Sequence, residues 1–372
     1  MADDITRKII HCDADCFFAA IEMRDDPRLR QVPMAVGGSP DRRGVISTCN
    51  YLARRFGVRS AMASRTALQL CPDLVIVPHR MAAYREAADV MRNIFRAYTD
   101  QVEVVSIDEA YLDVSDNGHF KGSATRIAQA IRAQVAKELS ITVSAGVARN
   151  KFLAKVASEW RKPDGLFVIE PSQEADFVEN LPVSRIPGVG KVTAAKLERQ
   201  NIGVCRDLSS LGLDALVKQF GVFGRRLHAF SRGVDDRPVR IERVRKSLSV
   251  EHTFASDLPD LKACQARLPD LFQTLCERFG KLDGQYNVGS LFIKIKFDNF
   301  LTTTHEASAN TLRLSRYQSL VDEGFHRARR PVRLLGLGIR FIPGTLSNGM
   351  HQLPLFQESD PAMAPSRNGI GG

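Results

Sequence analysis
The sequence predicts an α+β protein of several domains, and three observations predict it. Short β-rich runs alternate with amphipathic helical ones from residue 8 to about 169; a helical stretch rich in glycine turns follows over 171–238; and residues 247–343 again mix extended and helical patterns. A chain of 372 residues with 44% hydrophobic content can bury more than one core, so roughly two to four domains are expected.

In the first stretch, residues 8–12, 75–78, 102–106, 110–114, 142–147 and 166–169 read as strands, because β-branched residues gather there in runs too short for helices. Residues 81–98 and 123–139 carry apolar side chains at spacings of three and four, the period of a helix with one buried face. This order suggests a sheet layered by two helices, with Asp13 and Asp108 on neighbouring strands. Residues 16–77 interrupt it with a basic, glycine-containing insertion (Gly37-Gly38-Ser39-Pro40, Arg42-Arg43-Gly44) that reads as a separate lobe. A charged linker spans 239–246. Beyond it, residues 247–252, 287–297 and 332–341 look extended and 258–280 helical. After Pro343 the chain turns to Gly, Ser, Pro and Asn without periodicity, so a disordered tail is expected over 346–372. One apolar island, Gln352-Leu353-Pro354-Leu355-Phe356, stands inside it.

The formal net charge of +10 is spread along the chain, which suits a surface that follows a polyanion. An acidic membrane surface would attract the same charge, so a motif has to decide. Seven cysteines include no CxxC pair and the eight histidines do not gather around them, which argues against structural zinc and for reduced, packed thiols. The N-terminus Met1-Ala2-Asp3-Asp4 lacks a basic-then-apolar signal, and no apolar run approaches the ~20 residues of a bilayer span. A cytoplasmic protein without membrane contact is expected.

Two acidic segments carry chemistry. Ile9-Ile10-His11-Cys12-Asp13 ends an apolar run on a carboxylate, and Ser106-Ile107-Asp108-Glu109-Ala110-Tyr111-Leu112-Asp113 opens another with two. Carboxylates at adjoining strand ends can hold two hard divalent cations, the arrangement that activates an attacking oxygen and stabilises a leaving phosphate oxygen. A lone rim aspartate is as often a solvated strand end; the pair points to phosphoryl transfer. In Ile186-Pro187-Gly188-Val189-Gly190-Lys191, Gly188 and Gly190 permit the tight turn of a helix-hairpin-helix, whose backbone N–H groups can meet a phosphate. A plain helix-helix turn needs only one such glycine. Arg185, Lys191 and Lys196 add charge there. In the last domain Arg243, Arg245 and Lys246 lead in, Lys294 and Lys296 share a strand face, and Arg327, Arg329, Arg330, Arg333 and Arg340 extend a phosphate-tracking surface.

Asp13-Ala14-Asp15-Cys16-Phe17-Phe18-Ala19-Ala20, Ser47-Thr48-Cys49-Asn50-Tyr51-Leu52-Ala53-Arg54-Arg55-Phe56-Gly57-Val58, the segment 106–113, and Asn150-Lys151-Phe152-Leu153-Ala154-Lys155 with Lys162-Pro163-Asp164-Gly165 resemble the Y-family DNA polymerases of the bacterial DinB type. The likeness is collinear from residue 8 to about 343. It implies a right-hand polymerase: a ferredoxin-like palm at 1–15 and 78–170, small fingers at 16–77, a helical thumb with the helix-hairpin-helix at 171–238, and an α+β, DNA-binding little finger at 247–345. It implies template-directed synthesis by a monomer on primer-template DNA with dNTPs, of low fidelity, across damage and without proofreading. A catalytically inactive adaptor of the same family would be free to lose Asp13, Asp108 and Glu109, all of which are present. A nucleotide cyclase on a similar palm has no use for the hairpin or the basic last domain.

By the same resemblance, Asp13, Asp108 and Glu109 would hold two Mg²⁺ ions with the Ala14 carbonyl as a further ligand, Glu109 facing the metal nearer the primer 3′-OH. Phe18 matches the steric gate, a ring under C2′ of the sugar that leaves room for hydrogen but not hydroxyl; Phe17 beside it belongs to the same nucleotide site. Thr48, Tyr51, Arg54 and Lys162 match the triphosphate cradle, two hydroxyls and two cations against a charge of about minus four. Cys49 and Leu52 among them are given packing roles. Gly188, Gly190, Lys191, Arg245, Lys294, Lys296 and Arg333 are the expected DNA contacts. The tail island resembles a bacterial sliding-clamp binding peptide, with Gln352, Leu353, Leu355 and Phe356 entering the clamp.

Overall fold
The computed structural model describes residues 7–242, 244–282, 284 and 286–342; the tail and its apolar island lie outside them. Two units, Met1–Val244 and Arg245–Gly372, have separate cores. The first runs β1 (Ile9–Ala14), α1 (Phe17–Asp25), β2 (Met34–Gly37), β3 (Ile46–Cys49), α2 (Tyr51–Arg55), α3 (Ser64–Leu70), β4 (Val75–Val77), α4 (Met81–Arg96), β5 (Val102–Val104), β6 (Glu109–Asp113), α5 (Ala124–Leu139), β7 (Val143–Ala148), α6 (Lys151–Trp160) and β8 (Leu166–Val168). Helices α7 (Glu174–Glu179), α8 (Lys191–Glu198), α9 (Cys205–Ser209), α10 (Leu213–Phe220) and α11 (Val222–Phe230) complete it.

β1 lies at the middle of a sheet ordered β5-β6-β1-β7-β8, antiparallel to both neighbours. It is buried at every position except Asp13, because side chains alternate and both faces are covered. Ile10, Cys12 and Ala14 pack against Tyr84, Met91 and Phe95 of α4 and Ile127 and Ile131 of α5. Ile9 and Tyr111, on the other face, join Phe152, Leu153 and Val156 of α6 and the apolar side chains of the helices that follow. The expectation of two covering helices leaves out α6, the layer that faces Asp13 and Glu109. Residues 75–78 do not extend this sheet: β4 pairs in parallel with β2 in a three-stranded sheet ordered β3-β2-β4. Three apolar residues look alike in either sheet, and only the pairing with Met34–Val36 distinguishes them.

The second unit holds β9 (Ser247–Leu258), α12 (Leu261–Gln265), α13 (Leu268–Gly280), β10 (Asn287–Phe297), β11 (Thr302–Ser308), α14 (Leu314–His326) and β12 (Val332–Ile342). Its sheet is ordered β11-β10-β12-β9. Leu291, Ile293 and Ile295 of β10 and Leu335, Leu337 and Ile339 of β12 pack on Leu268, Leu275, Tyr317 and Val321 of the helices. Lys294 and Lys296 alternate with them and fall on the opposite face. The single helix expected over 258–280 is two. Asp260 caps α12 by accepting from the Ala263 N–H at 2.8 Å, and Pro269 stands in the first turn of α13, where its missing N–H breaks no helical bond.

Candidate active site
The carboxylates are brought together by backbone pairing. Asp13 lies directly opposite Glu109 across β1 and β6, and the Ala14 N–H donates to the Asp108 carbonyl at 3.0 Å. Three acids thus occupy adjoining backbone positions at one sheet end. Helix α6 reaches this end because Gly146 on β7 has no side chain: a Cβ there would sit 2.1 Å from the Ala154 carbonyl oxygen and 2.3 Å from the Ser158 nitrogen. Asn150 starts the helix by accepting from the Leu153 N–H at 3.0 Å. Gly146→Ala is therefore expected to push α6 outward, costing about 1–3 kcal/mol of stability and lowering activity; urea unfolding with primer extension checks both.

The side chains of the three acids are each engaged by a neighbouring group. Asp13 accepts from Lys162 Nζ at 2.5 Å, Glu109 from Lys155 Nζ at 2.5 Å, and Asp108 from the Ser106 hydroxyl. Among the described residues no three His, Cys, Asp or Glu side chains form a cation cage. Adjoining carboxylates repel one another unless positive charge lies between them, and here the lysines supply it. The donors still fit a divalent metal. All are hard oxygens, and burial pushes the Asp13 carboxyl up to about 7 even with Lys162 beside it, so this carboxylate is short of positive charge. Burial likewise pushes the His11 ring, behind Glu109, down to about 4.

A cavity of about 240 Å³ opens over Asp13, lined by Ala14, Phe17, Phe18, Thr48, Arg54, Asp108 and Lys162 among others. Glu109 and Tyr51 are outside its lining. Glu109 turns toward α6. The Tyr51 hydroxyl points to Asp15 at 3.4 Å, while the Arg54 guanidinium lies 4.5 Å over the Tyr51 ring. Phe17 lines the cavity from the core at 2% exposure, and Phe18 is the more exposed of the two. The Phe18 ring stacks on Tyr84 at 4.2 Å and 11°. The Tyr84 hydroxyl donates to Glu22 at 2.5 Å, and Arg80 Nε donates to both oxygens of Glu22 at 3.0 and 2.9 Å. Cys49 is buried at 1% exposure in the core of its lobe, as a packing role requires, and Leu52 is partly buried.

Sequence reasoning passed over several residues that build this site. Buried Asp15 accepts from Thr142 Oγ1 at 2.7 Å, Ser144 Oγ at 2.8 Å and the Asp164 N–H at 2.8 Å, and so ties the turn that carries Lys162 to β1. His11, Lys155, Ser158, Glu22, Arg80 and Tyr84 also serve it. The only local signal was polarity within apolar runs, as at His11.

The hairpin residues stand as the turn requires. Gly188 has φ +96°, and a Cβ there would meet the Phe223 ring at 2.9 Å. Gly190 precedes α8 as its N-cap, and Lys191 is exposed. In the second unit Arg245 is exposed. Lys294 is ion-paired with Glu251 at 2.8 Å, whereas the cations of Lys296 and Arg333 lie 4.7 and 4.8 Å over the exposed Phe300 ring.

Three family models match the chain: the impB/mucB/samB family over residues 12–159, the DNA polymerase-iota thumb domain over 184–235, and the impB/mucB/samB family C-terminal domain over 245–355. The first includes Asp13, the 106–113 segment and nearly all of α6, and the second spans the Gly188 turn. A relative named DNA polymerase IV from Pseudomonas savastanoi pv. phaseolicola is 57% identical over 352 residues, 95% of this chain and 99% of its own length. Another of that name, from Pseudomonas fluorescens, is 56% identical over 94% of this chain and 99% of its own. Among solved structures, a Y-family DNA polymerase chimera of Dbh and Dpo4 matches with a TM-score of 0.81 at 29% identity, covering 90% of this chain and 98% of the chimera. An insertion ternary complex of Dbh DNA polymerase matches with a TM-score of 0.64 at 27% identity, over 90% of this chain and 99% of its own. Sequence, domain models and fold agree along nearly the whole length, and the chain belongs to the Y family of DNA polymerases.

Proposed function
We propose that this chain, a divalent-metal-dependent DNA-directed DNA polymerase of the translesion type by its family, performs nucleotidyl transfer from a dNTP to a primer 3′-OH with Asp13, Asp108 and Glu109 holding two Mg²⁺ ions. The observation that carries the reading is the register that sets Asp13 against Glu109 and Ala14 against Asp108 at the mouth of a cavity walled by Phe18. When bound, the cations supply charge neutralisation and lower the pKa of the attacking hydroxyl. Thr48, Arg54 and Lys162 face the triphosphate; the nucleotide takes Lys162 from Asp13 and thereby frees that carboxylate. Phe18, braced from behind by Tyr84, excludes a 2′-hydroxyl. Tyr51 reaches the phosphates only by leaving Asp15, and Phe17 supports the site from the core.

The palm is assigned to 1–15 and 78–170, the fingers to 16–77, the thumb to 171–238 and the little finger to 247–345. Template-primer DNA then meets Gly188, Gly190 and Lys191 in the thumb and Arg245, Lys294, Lys296 and Arg333 beyond it. Lys296→Ala with Arg333→Ala is expected to weaken primer-template binding on any sequence and to reduce the slope of log affinity against log salt by about two. Lys294→Ala changes less, because Glu251 already shares its charge; a salt titration by fluorescence anisotropy reads both. Gln352, Leu353, Leu355 and Phe356 dock on a sliding clamp. The working protein is a cytoplasmic monomer, and among the described residues no helix is long and apolar enough to cross a membrane. No observation favours an inactive adaptor. The test is extension of a primed template past a minor-groove guanine adduct with dNTPs and Mg²⁺, with and without clamp. Failure on undamaged template overturns the polymerase reading, and an unchanged rate with clamp overturns the docking.

A further inference from the structure
His11 is wholly buried, lies two residues from Asp13 and takes no part in the reaction as described. Its ring packs on Tyr111 at 4.6 Å between centroids, and its Nδ1 is 2.8 Å from Ser158 Oγ. That hydroxyl donates its hydrogen to the Lys155 carbonyl at 2.8 Å. In that arrangement its lone pairs face His11, which calls for the ring hydrogen on Nδ1. On the opposite edge, Nε2 is 3.5 Å from Lys155 Nζ and 3.6 Å from Glu109 Oε2. An N–H on Nε2 would point donor against donor at the ammonium, which lies slightly nearer than Glu109. A bare Nε2 instead gives the ammonium a second acceptor beside Glu109, which it binds at 2.5 Å.

We propose that His11 is a positioning residue for nucleotidyl transfer: as the Nδ1–H tautomer it steadies the Lys155 ammonium, and through it the Glu109 carboxylate, between helix α6 and the metal-holding sheet end. The inference rests on the reading of Glu109 as a metal-holding carboxylate. Its frame is rigid at both ends. Ser158 is held on α6, which rides against bare backbone at Gly146, and the ring is held on a strand hydrogen-bonded on both sides. Groups that orient a ligating carboxylate through a second hydrogen bond commonly affect activity about 10–100-fold when removed.

The test has a spectroscopic arm and a kinetic arm. Nitrogen-15 spectra of the metal-free, histidine-labelled full chain, with His11 assigned by its loss in His11→Gln, are expected to show Nδ1 protonated and Nε2 bare. In extension assays, His11→Leu is expected to lower kcat about 10–100-fold with KM for the dNTP unchanged. His11→Gln, whose amide oxygen can accept from Lys155, recovers a large share of the loss. A wild-type ring protonated on Nε2 overturns the proposal, as do equal losses in the two variants or full kcat in a folded His11→Leu chain. Full activity in Glu109→Gln would instead remove the reading of Glu109 and leave the tautomer measurement standing, so the two failures are distinguishable.

Discussion

Asp108→Ala is expected to abolish primer extension and to leave primer-template binding close to that of the parent chain. The structural cost is small, because among the described residues the Asp108 side chain bonds within its own loop, to Ser106, while the contact that sets the register uses its backbone carbonyl, which accepts from the Ala14 N–H. Alanine keeps that carbonyl. What is lost is one of three carboxylates at the sheet end, and with it a proposed ligand for cations that would neutralise charge in the transition state. A fall in kcat of about 10²–10³-fold or more is expected. Single-turnover extension measures the loss, and fluorescence anisotropy measures binding. A parallel loss of DNA affinity would make the residue structural instead.

Phe18→Ala is expected to admit ribonucleotides, lowering the preference for dNTP over rNTP by roughly a hundredfold in kcat/KM. The ring sits in the cavity wall between Asp13 and the Tyr84 ring, which it covers face to face at 4.2 Å. Tyr84 is itself fully buried and anchored through Glu22 to Arg80, so it does not rise to refill the space. The opening created is therefore available to a 2′-hydroxyl. Parallel measurement with each dNTP and rNTP pair, with a thermal melt to confirm folding, checks the result. Unchanged discrimination in a folded chain would withdraw the gate assignment from Phe18.

Much of this site is legible in the residues because its parts are local. β1 and β6 are short apolar runs that end or begin on acids, and helices α4 and α5 follow a clear period of three and four. The Gly188–Gly190 turn declares itself by residue type, since a φ of +96° is a conformation that L side chains avoid. The less legible parts depend on partners distant in sequence. β4 is too short to show which sheet it joins. Tyr51 reads as a triphosphate ligand in its motif, yet Asp15, 36 residues earlier, holds its hydroxyl. Lys155 sits in the motif that carries the resemblance, but nothing local shows that its ammonium lies on Glu109, 46 residues away.

The sequence by itself determined the fold class and the two acidic segments, and through its resemblance to the family the expectation that Phe18 is the sugar gate. Tertiary structure alone decided that Lys162 and Lys155 stand against Asp13 and Glu109, that the Phe18 ring stacks on Tyr84, and that His11 and Ser158, 147 residues apart, share a hydrogen bond. The physical reason is that periodicity reports which face of an element is buried, whereas the partner of a buried polar group is set by how closely two elements approach. Here that distance is set by Gly146, where helix α6 packs into the space of a missing side chain.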